Sequence, residues 1–347
     1  MPNAVSLLLR GYIPLVRPVV IADHLSKTYV SNTRSPGFAG TFKTLFKPEK
    51  KRVEAVIGMN FTINEGELVG FLGPNGAGKT TTLKMLTGIL YSTSGRGEVL
   101  GFDPKDRKPE MQRQISLVMG NKMQLWWDLP AWDSFVVLKE IYQVPDADFK
   151  KRIDDLISLL ELADKINVQV RKLSLGERMK CELAAALLHN PRVIFLDEPT
   201  IGLDLVSQKR IREFLKQHNR ENNTTILLTS HYMQDVVELC ERVIIIDHGK
   251  LIFDGLLSDL SANYSQSRRI RFSFREPIEM DFSKFGKVVE SLPQMVLLEA
   301  EREQIPSIAS SILREFDVDD FSTEDTEIED VVRDLFLRSA EKEKSNN

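Results

Sequence analysis

A glycine-rich run of eight residues, GPNGAGKT, extends from Gly73 to Thr80 of this 347-residue chain. It fits the pattern G-x-x-x-x-G-K-[ST] and follows an apolar run, 68–72, that is typical of a buried strand. Helical character begins at Lys79. Glycines let the backbone curl so that its N–H groups point at phosphate oxygens, and the positive end of a helix adds to the attraction. The run therefore predicts a site for the phosphates of a nucleotide.

Two side chains of this run could bind the nucleotide more directly. Lys79 supplies a positive charge for the β- and γ-phosphates, and Thr80 supplies a hydroxyl for Mg²⁺. The full set of predicted phosphate-binding residues is Gly73, Pro74, Asn75, Gly76, Ala77, Gly78, Lys79, Thr80 and Thr81.

Two acidic residues follow a second apolar run. Val193 to Leu196 reads as a buried strand that delivers Asp197 and Glu198 at its carboxyl end. In P-loop enzymes the Asp after such a strand holds Mg²⁺ together with the P-loop threonine. Glu198 is suited to be the general base for an attacking water. A pair of solvated acids at a strand end is common in isolation, but beside a phosphate-binding loop we favour the catalytic interpretation.

Two more segments complete an ordered set of four. LSLGE occupies Leu173 to Glu177 and opens an amphipathic helix, and a single His231 follows TILLTS. Alone, each is weak, because Ser-x-Gly-Glu often begins a helix and a histidine after a strand is often structural. In this order the four motifs resemble the nucleotide-binding subunit of ABC transporters, over about residues 19–257. The resemblance implies an ATPase whose cofactors are ATP and Mg²⁺.

The resemblance also implies roles for residues outside the phosphate loop. Ser174, Gly176 and Glu177, with the helix that they begin, would face the γ-phosphate of an ATP held by a second subunit. Asp204 would contact the opposite site across the dimer. Leu175 stands where the family usually has glycine, and Glu177 replaces the commoner glutamine.

Three side chains would complete the ATP site of the chain itself. Tyr29 matches the aromatic residue that stacks on adenine, and His231 would contact the γ-phosphate. The glutamine that approaches Mg²⁺ and water in the family has no clear counterpart. Alignment on Ile115 to Val118 places Gly120 or Asn121 there, and Gln124 lies a few residues on, so Asn121 and Gln124 both stay open.

Alternating strands and helices predict an α/β fold with a mostly parallel core sheet, as in P-loop ABC ATPases, with an antiparallel β subdomain. A helical subdomain is predicted over about 115–188. After residue 262 the pattern changes to a small α+β module. The predicted divisions are an N-terminal extension (1–18), an ABC ATPase domain (19–262) and a C-terminal accessory domain (263–347).

Several local expectations accompany these divisions. Residues 31–52 carry a basic cluster and read as a loop. In the C-terminal module we expect strands within 269–274 and 288–298 and a helix over 308–316. A last helix should contain Ile328, with Ser322 or Thr323 near its start.

Composition limits the function classes. A net charge of −4 argues against a general nucleic-acid binder. No run approaches the roughly 20 apolar residues of a membrane-spanning helix, so we expect no direct span. The chain would be cytoplasmic and peripheral on the inner face of the cell membrane.

Two cysteines, Cys181 and Cys240, read as buried thiols, and five histidines without paired spacing predict no further metal site.

The favoured function is ATP binding and hydrolysis in a head-to-tail dimer, with an identical or a related ATPase subunit. Dimer closure would power translocation, with export favoured over import, through separate integral membrane permease subunits. Three tryptophans, Trp126, Trp127 and Trp132, lie where the family meets its membrane subunit. They could equally pack the core of the helical subdomain.

The alternative is a soluble ABC ATPase that acts on ribosomes or DNA. Such proteins usually carry two cassettes in one chain or long coiled-coil insertions. Here there is one P-loop and no sustained heptad pattern between it and Leu173. A P-loop kinase would need neither the LSLGE segment nor Asp204.

Overall fold

The computed structural model describes residues 17–33, 49–120, 122–230, 232–264, 267–325 and 328–345. The chain divides into two compact units. As far as the described residues go, the first unit is Met1–His231 with Ile244–Asp254, and the second is Tyr232–Val243 with Gly255–Asn347. Residues 232–243 thus group with the C-terminal part. The boundary between an ATPase domain (19–262) and an accessory domain (263–347) stays a prediction.

A six-stranded sheet carries the predicted chemistry. Its strand order is β5-β6-β7-β3-β8-β9. The strands are β3 (Leu68–Leu72), β5 (Ile115–Met119), β6 (Val193–Asp197), β7 (Thr225–Thr229), β8 (Arg242–Asp247) and β9 (Lys250–Leu256). The pairs β5–β6, β6–β7 and β3–β7 are parallel. Every residue of β6 and β7 is buried, which explains their continuous apolar runs.

An antiparallel sheet of three strands has the order β2-β1-β4. Its strands are β1 (Pro18–Thr33), β2 (Glu49–Asn64) and β4 (Ser94–Val99). The predicted loop was too long, because β1 continues to Thr33 and β2 begins at Glu49, where the two strands still pair. The tip between them, 34–48, lies outside the described residues, as do residues 1–16 of the predicted N-terminal extension.

Helices surround these sheets in the first unit. They are α1 (Lys79–Leu86), the single turn α2 (Pro109–Gln112), α3 (Ala131–Tyr142), α4 (Asp146–Leu159), α5 (Leu175–Leu187) and α6 (Leu205–Asn222). The helical subdomain begins later than predicted, because Ile115–Met119 is β5 of the core sheet. A short apolar run does not by itself distinguish a buried strand from a helix segment, so periodicity misplaced this boundary.

The second unit includes the α+β module that was expected after residue 262, together with residues 232–243 and 255–262. It contains α7 (Met233–Leu239), α8 (Leu257–Tyr264), α9 (Ile305–Glu315) and α10 (Ile328–Ser345). Its antiparallel sheet has the order β11-β12-β10-β13, formed by β10 (Ser267–Phe274), β11 (Lys287–Leu292), β12 (Met295–Glu301) and β13 (Val318–Asp325). One of Ser322 and Thr323 was expected near the start of the last helix. This prediction is wrong, because both residues lie within β13.

One apolar core of this module lies between α9 and one face of its sheet. Phe272, Val296, Leu298 and Ile312 are among its buried residues. The predicted fold class is confirmed: a largely parallel core sheet, an antiparallel sheet, a helical region and a C-terminal α+β module. None of the helices in the described part of the chain is long and apolar enough to cross a membrane.

Candidate functional site

The glycine-rich loop connects β3 to α1 and depends on close backbone packing. Gly76 and Gly78 have φ of 82° and 104°, in the left-handed region that favours glycine. A Cβ at Gly78 would lie 2.4 Å from the Ala55 carbonyl oxygen, and one at Gly73 would lie 2.4 Å from that of Ile246. These contacts leave no space for side chains at the two positions. The loop therefore presents its backbone, as a phosphate-binding loop requires.

Lys79, the first residue of α1, folds back over this loop. Its Nζ donates to the carbonyl oxygens of Gly73 at 2.6 Å and Pro74 at 3.2 Å. The side chain is buried, and this burial lowers the pKa of Lys79, against the opposing effect of Glu198 and Asp197. The ammonium thus sits inside the loop, bound to neutral carbonyl groups that an anionic phosphate can replace.

Asp197 ends β6 with both carboxylate oxygens hydrogen-bonded. The Thr80 hydroxyl donates to Oδ2 at 2.8 Å, and the Thr229 hydroxyl donates to Oδ1 at 2.9 Å. Thr229 ends the neighbouring strand β7, where it pairs with Asp197 in parallel register. The structure therefore brings together the two predicted Mg²⁺ ligands, Thr80 and Asp197.

Glu198 faces the same region from the next position. A cleft of about 150 Å³ is lined by Glu198, by Ala55 of β2 and by residues 75–81 of the loop and α1. The Glu198 backbone has φ of 56°, which is uncommon for a residue with a side chain. Its N–H donates to the Thr229 carbonyl at 3.1 Å and hydroxyl at 3.0 Å. The predicted base is thus placed at the mouth of the phosphate loop.

The segment after β5 supports this strand end through its backbone. The Gly120 N–H donates to the Asp197 carbonyl at 2.8 Å, and a Cβ at Gly120 would lie 2.4 Å from the Glu198 carbonyl oxygen. Asn121 lies outside the described residues. Gln124 donates its side-chain amide to the Leu117 carbonyl at 3.2 Å and does not line the cleft. The side chain of Gln124 is therefore bound to β5 and not at the cleft, and the position of Asn121 stays a prediction.

The LSLGE segment begins α5 with a reciprocal cap. The Ser174 side chain accepts from the Glu177 N–H at 3.2 Å, and the Glu177 carboxylate accepts from the Ser174 N–H at 2.9 Å. This second bond is the main reason that the pKa of Glu177 lies below its ordinary value, with Lys165 adding to the effect. The cap fixes the orientation of the helix N-terminus.

This helix start lies against the start of α6. Asp204 caps α6 by accepting from the Ser207 N–H at 2.9 Å and hydroxyl at 2.6 Å, and the Ser207 hydroxyl lowers the pKa of Asp204. A Cβ at Gly176 would lie 2.6 Å from the Ser207 Oγ. Leu175, the departure from the family pattern, is 41% exposed and packs over Gly202. Residues 174–177 and 202–207 thus form one cluster, and none of them lines the cleft.

The remaining predicted site residues are Tyr29 and His231. Tyr29 lies within β1 and not after its end, and its ring is 41% exposed. Lys27 places its Nζ 5.3 Å from the ring centre. β1 pairs with β2 beside Ala55, which lines the cleft, so Tyr29 is on the strand next to the cleft wall. His231 lies outside the described residues, directly after the buried Ser230.

The tryptophan segment lies between β5 and α3. Trp126 and Trp127 are 41% and 45% exposed. Trp132 is half-buried and packs edge-on against Phe149, with ring centres 6.0 Å apart. Two of the three rings therefore face outward, and the third contributes to packing of the helices.

Sequence reasoning passed over one residue that shapes the site, Thr229. A hydroxyl at the carboxyl end of β7 was a usable signal, because that end lies at the same sheet edge as the carboxyl end of β6. Gly120, which the alignment gave as one position for the family's glutamine, contacts Asp197 and Glu198 through its backbone.

Comparison with known proteins agrees with this geometry. The family described as "ABC transporter" matches residues 56–201, and the family "EvrA-like ABC transporter, C-terminal domain" matches residues 266–324. The ABC transporter ATP-binding protein NatA of Bacillus subtilis is 39% identical over 215 residues, which cover 62% of this chain and 87% of NatA. The linearmycin resistance ATP-binding protein LnrL of the same organism is 34% identical, over 59% of this chain and 65% of LnrL.

Among solved structures, the ATP-binding cassette MJ0796, as a dimer bound to ADP and Pi, is similar with a TM-score of 0.56. It is 24% identical, and the match covers 68% of this chain and 98% of MJ0796, which supports the fold. The match covers 87% of NatA at 39% identity, and the cleft is lined by the glycine-rich loop and Glu198. The chain therefore belongs to the ABC transporter ATP-binding proteins and is an ATPase.

Proposed function

We propose that this chain binds ATP with Mg²⁺ at the cleft around Gly73 to Thr81 and hydrolyses it to drive a membrane transporter. The observation that carries the site assignment is the contact of Thr80 with Asp197, with Glu198 beside them. Two segments that are distant in sequence meet there, the loop that ends at Thr80 and the strand end that carries Asp197 and Glu198. Their chemistry matches phosphate binding, metal binding and activation of water.

The donor set fits Mg²⁺. Thr80 and Asp197 offer hydroxyl and carboxylate oxygens, the hard ligands that Mg²⁺ prefers, and one carboxylate beside substrate phosphates is its usual protein environment. Among the described residues no group of three or more His, Cys, Asp or Glu side chains is placed to hold a metal by itself. When bound, Mg²⁺ would neutralise charge on the phosphates.

The protein groups then have separate tasks. Backbone N–H groups of the loop and the Lys79 ammonium hold the phosphates and stabilise charge that moves onto them during bond cleavage. The Glu198 carboxylate accepts a proton from the attacking water. Tyr29 stacks on the adenine, and His231 contacts the γ-phosphate.

A second ATPase subunit, identical or related, would complete each site. Ser174, Gly176, Glu177 and Asp204 form a cluster that does not line the cleft of their own chain, so they are free to serve the nucleotide of a partner. The solved MJ0796 cassette is described as dimeric, which supports a dimer here. Closure of such a dimer on ATP and its release after hydrolysis would transmit force.

The membrane partner would be a separate permease. Trp126 and Trp127 offer two exposed aromatic rings, which are favoured as anchors at protein interfaces. The name of LnrL refers to resistance, which supports export as the direction. We place the chain in the cytoplasm, on the inner face of the cell membrane, and expect no nucleic-acid partner.

Replacement of Glu198 by Gln tests this function. The amide keeps the size of the side chain but cannot accept a proton, so ATP hydrolysis should fall at least a hundredfold while ATP binding persists. With ATP, gel filtration should show a shift to dimer. The exposed Glu110→Gln is a matched control that should hydrolyse ATP like the wild type. Near wild-type hydrolysis by Glu198→Gln would refute the assignment of the base.

A further inference from the structure

We propose that Thr229 is a positioning residue for ATP hydrolysis, because its single hydroxyl holds the side chain of Asp197 and the backbone of Glu198 at once. The inference rests on the proposed roles of Asp197 and Glu198. It adds a third residue, from a different strand, on which the placement of both depends.

The hydrogen bonds of this hydroxyl are fully determined. A threonine hydroxyl has one hydrogen to donate, and here it goes to Asp197 Oδ1 at 2.9 Å. The oxygen also accepts from the Glu198 N–H at 3.0 Å. Because Thr229 is completely buried, water does not compete for these bonds. The hydroxyl is thus locked between the two acidic residues.

Each carboxylate oxygen of Asp197 accepts one hydrogen bond. The Thr80 hydroxyl of α1 binds Oδ2, and the Thr229 hydroxyl of β7 binds Oδ1. Only Thr80 belongs to the phosphate-binding loop and is expected to contact the metal. Thr229 therefore holds Oδ1 from β7, while Oδ2 lies next to Thr80, the other proposed Mg²⁺ ligand.

Glu198 depends on Thr229 through its backbone. A φ of 56° is unfavourable for a residue with a side chain. The Glu198 N–H is shared between the hydroxyl and the carbonyl of Thr229. The Gly120 N–H provides a second restraint, because it donates to the Asp197 carbonyl, which belongs to the peptide group just before Glu198. Without the hydroxyl, one restraint on this conformation is lost, and the Glu198 carboxylate can turn away from the cleft.

The competing explanation is that Thr229 only satisfies polar groups at a strand end. Thr225 at the opposite end of β7 provides a matched control. It is also completely buried, and its hydroxyl accepts from the Gly66 N–H at 2.9 Å. Removal of either hydroxyl leaves a partly buried N–H with one bond fewer, but of the two threonines only Thr229 contacts Asp197 and Glu198.

The experiment compares Thr229→Val, Thr229→Ser and Thr225→Val in the full chain. For each we would measure kcat and KM for ATP, binding of a non-hydrolysable ATP analogue, and the thermal unfolding midpoint. We expect Thr229→Val to lower kcat at least tenfold with KM and analogue binding changed less than about threefold. Thr229→Ser, which keeps the hydroxyl, should stay within about threefold of the wild-type kcat. Thr225→Val should keep its kcat.

Three results would overturn the proposal. They are a kcat of Thr229→Val within threefold of wild type, an equal loss of kcat in Thr225→Val, and no rescue by Thr229→Ser. If the valine variant does not fold, Thr229→Ala, which fits in the same space, is held to the same criteria. An active Glu198→Gln would instead refute the proposed role of Glu198 as the base, whereas an inactive Glu198→Gln beside an active Thr229→Val refutes only this inference.

Discussion

The Arg178 guanidinium lies over the ring of Trp127, 4.6 Å from its centre. Arg178 is in the first turns of α5 and also donates to the Leu173 carbonyl at 3.2 Å. Four residues further along α5, the buried carboxylate of Glu182 accepts the N–H groups of Gln124 at 3.0 Å and Leu125 at 3.2 Å. The exposed tryptophan segment is therefore bound directly to the helix that begins at the LSLGE motif.

Replacement of Trp126 by Ala tests the docking role of this segment. Trp126 is exposed, so its loss should leave basal ATPase within about threefold. Affinity for the membrane subunit should fall by at least about 1 kcal/mol if the ring is an interface anchor. The measurement is a binding titration of each variant with the proposed permease partner. Ile89→Ala, which removes another exposed apolar side chain elsewhere on the chain, is the control, and equal affinities for both variants would contradict the role.

Replacement of Ser174 by Arg tests whether each ATP site is shared between chains. Because Ser174 does not line the cleft of its own chain, ATP binding by the isolated variant should stay within about threefold of wild type. Hydrolysis should fall at least tenfold, since a bulky cation would meet the partner's nucleotide. Loss of the helix cap also costs about 1 kcal/mol of stability, which thermal unfolding records separately. Ser158→Arg, on an exposed face of α4, is the control.

A mixing experiment sharpens this test. Lys79→Ala should disable the phosphate loop, and Ser174→Arg should disable the opposing surface. If two copies of this chain form the dimer, a mixture of the two inactive variants contains one intact composite site and should regain part of the wild-type hydrolysis. A mixture that stays inactive, while Ser174→Arg alone has lost ATP affinity, would mean that Ser174 serves its own chain.

His189 makes stability depend on pH. It is buried, stacks on Tyr142 with ring centres 3.8 Å apart, and places Nε2 3.0 Å from the Ile115 carbonyl oxygen. Because a carbonyl only accepts, Nε2 carries the hydrogen. A second proton would go to the buried Nδ1, which has no hydrogen-bond partner among the described residues. Burial lowers the pKa of His189 from 6.5 to about 4.

Between these two pKa values the unfolded chain binds a proton that the folded chain does not. Folding stability is therefore unaffected by this group above pH 6.5 and decreases as the pH falls toward 4, by about 1 kcal/mol between pH 7.5 and pH 5.5. His189→Gln keeps a donor for Ile115 but does not titrate. In urea unfolding at both pH values, the variant should lose about 1 kcal/mol less than the wild type. Equal losses would contradict the prediction.

Much of the site could be predicted from the sequence because its chemistry is local. The G-x-x-x-x-G-K-[ST] run must join a strand to a helix to work, and β3 and α1 are where that motif requires them. Asp197 and Glu198 follow an apolar run long enough to be read as a strand. The cap of Ser174 by Glu177 is likewise a relationship across three residues.

What could not be predicted depends on tertiary contacts. β5 is a run of five residues that would also suit a buried helix, and only its pairing with β6 decides. Tyr29 lies in mid-strand because β2 continues to pair beside it, through a basic segment that favours a loop. The contact of Thr229 with Asp197 requires the parallel register of β6 and β7, which no local pattern reveals.

The hydrogen bond from Thr80 to Asp197 also has a consequence for how the protein folds. It joins positions 117 residues apart, and β3, β6 and β7 must all be aligned before it forms. Closure of such long loops is slow, so the site should be among the last features to appear during folding. A partly folded chain would then lack the cleft, and nucleotide would stabilise only the completed sheet.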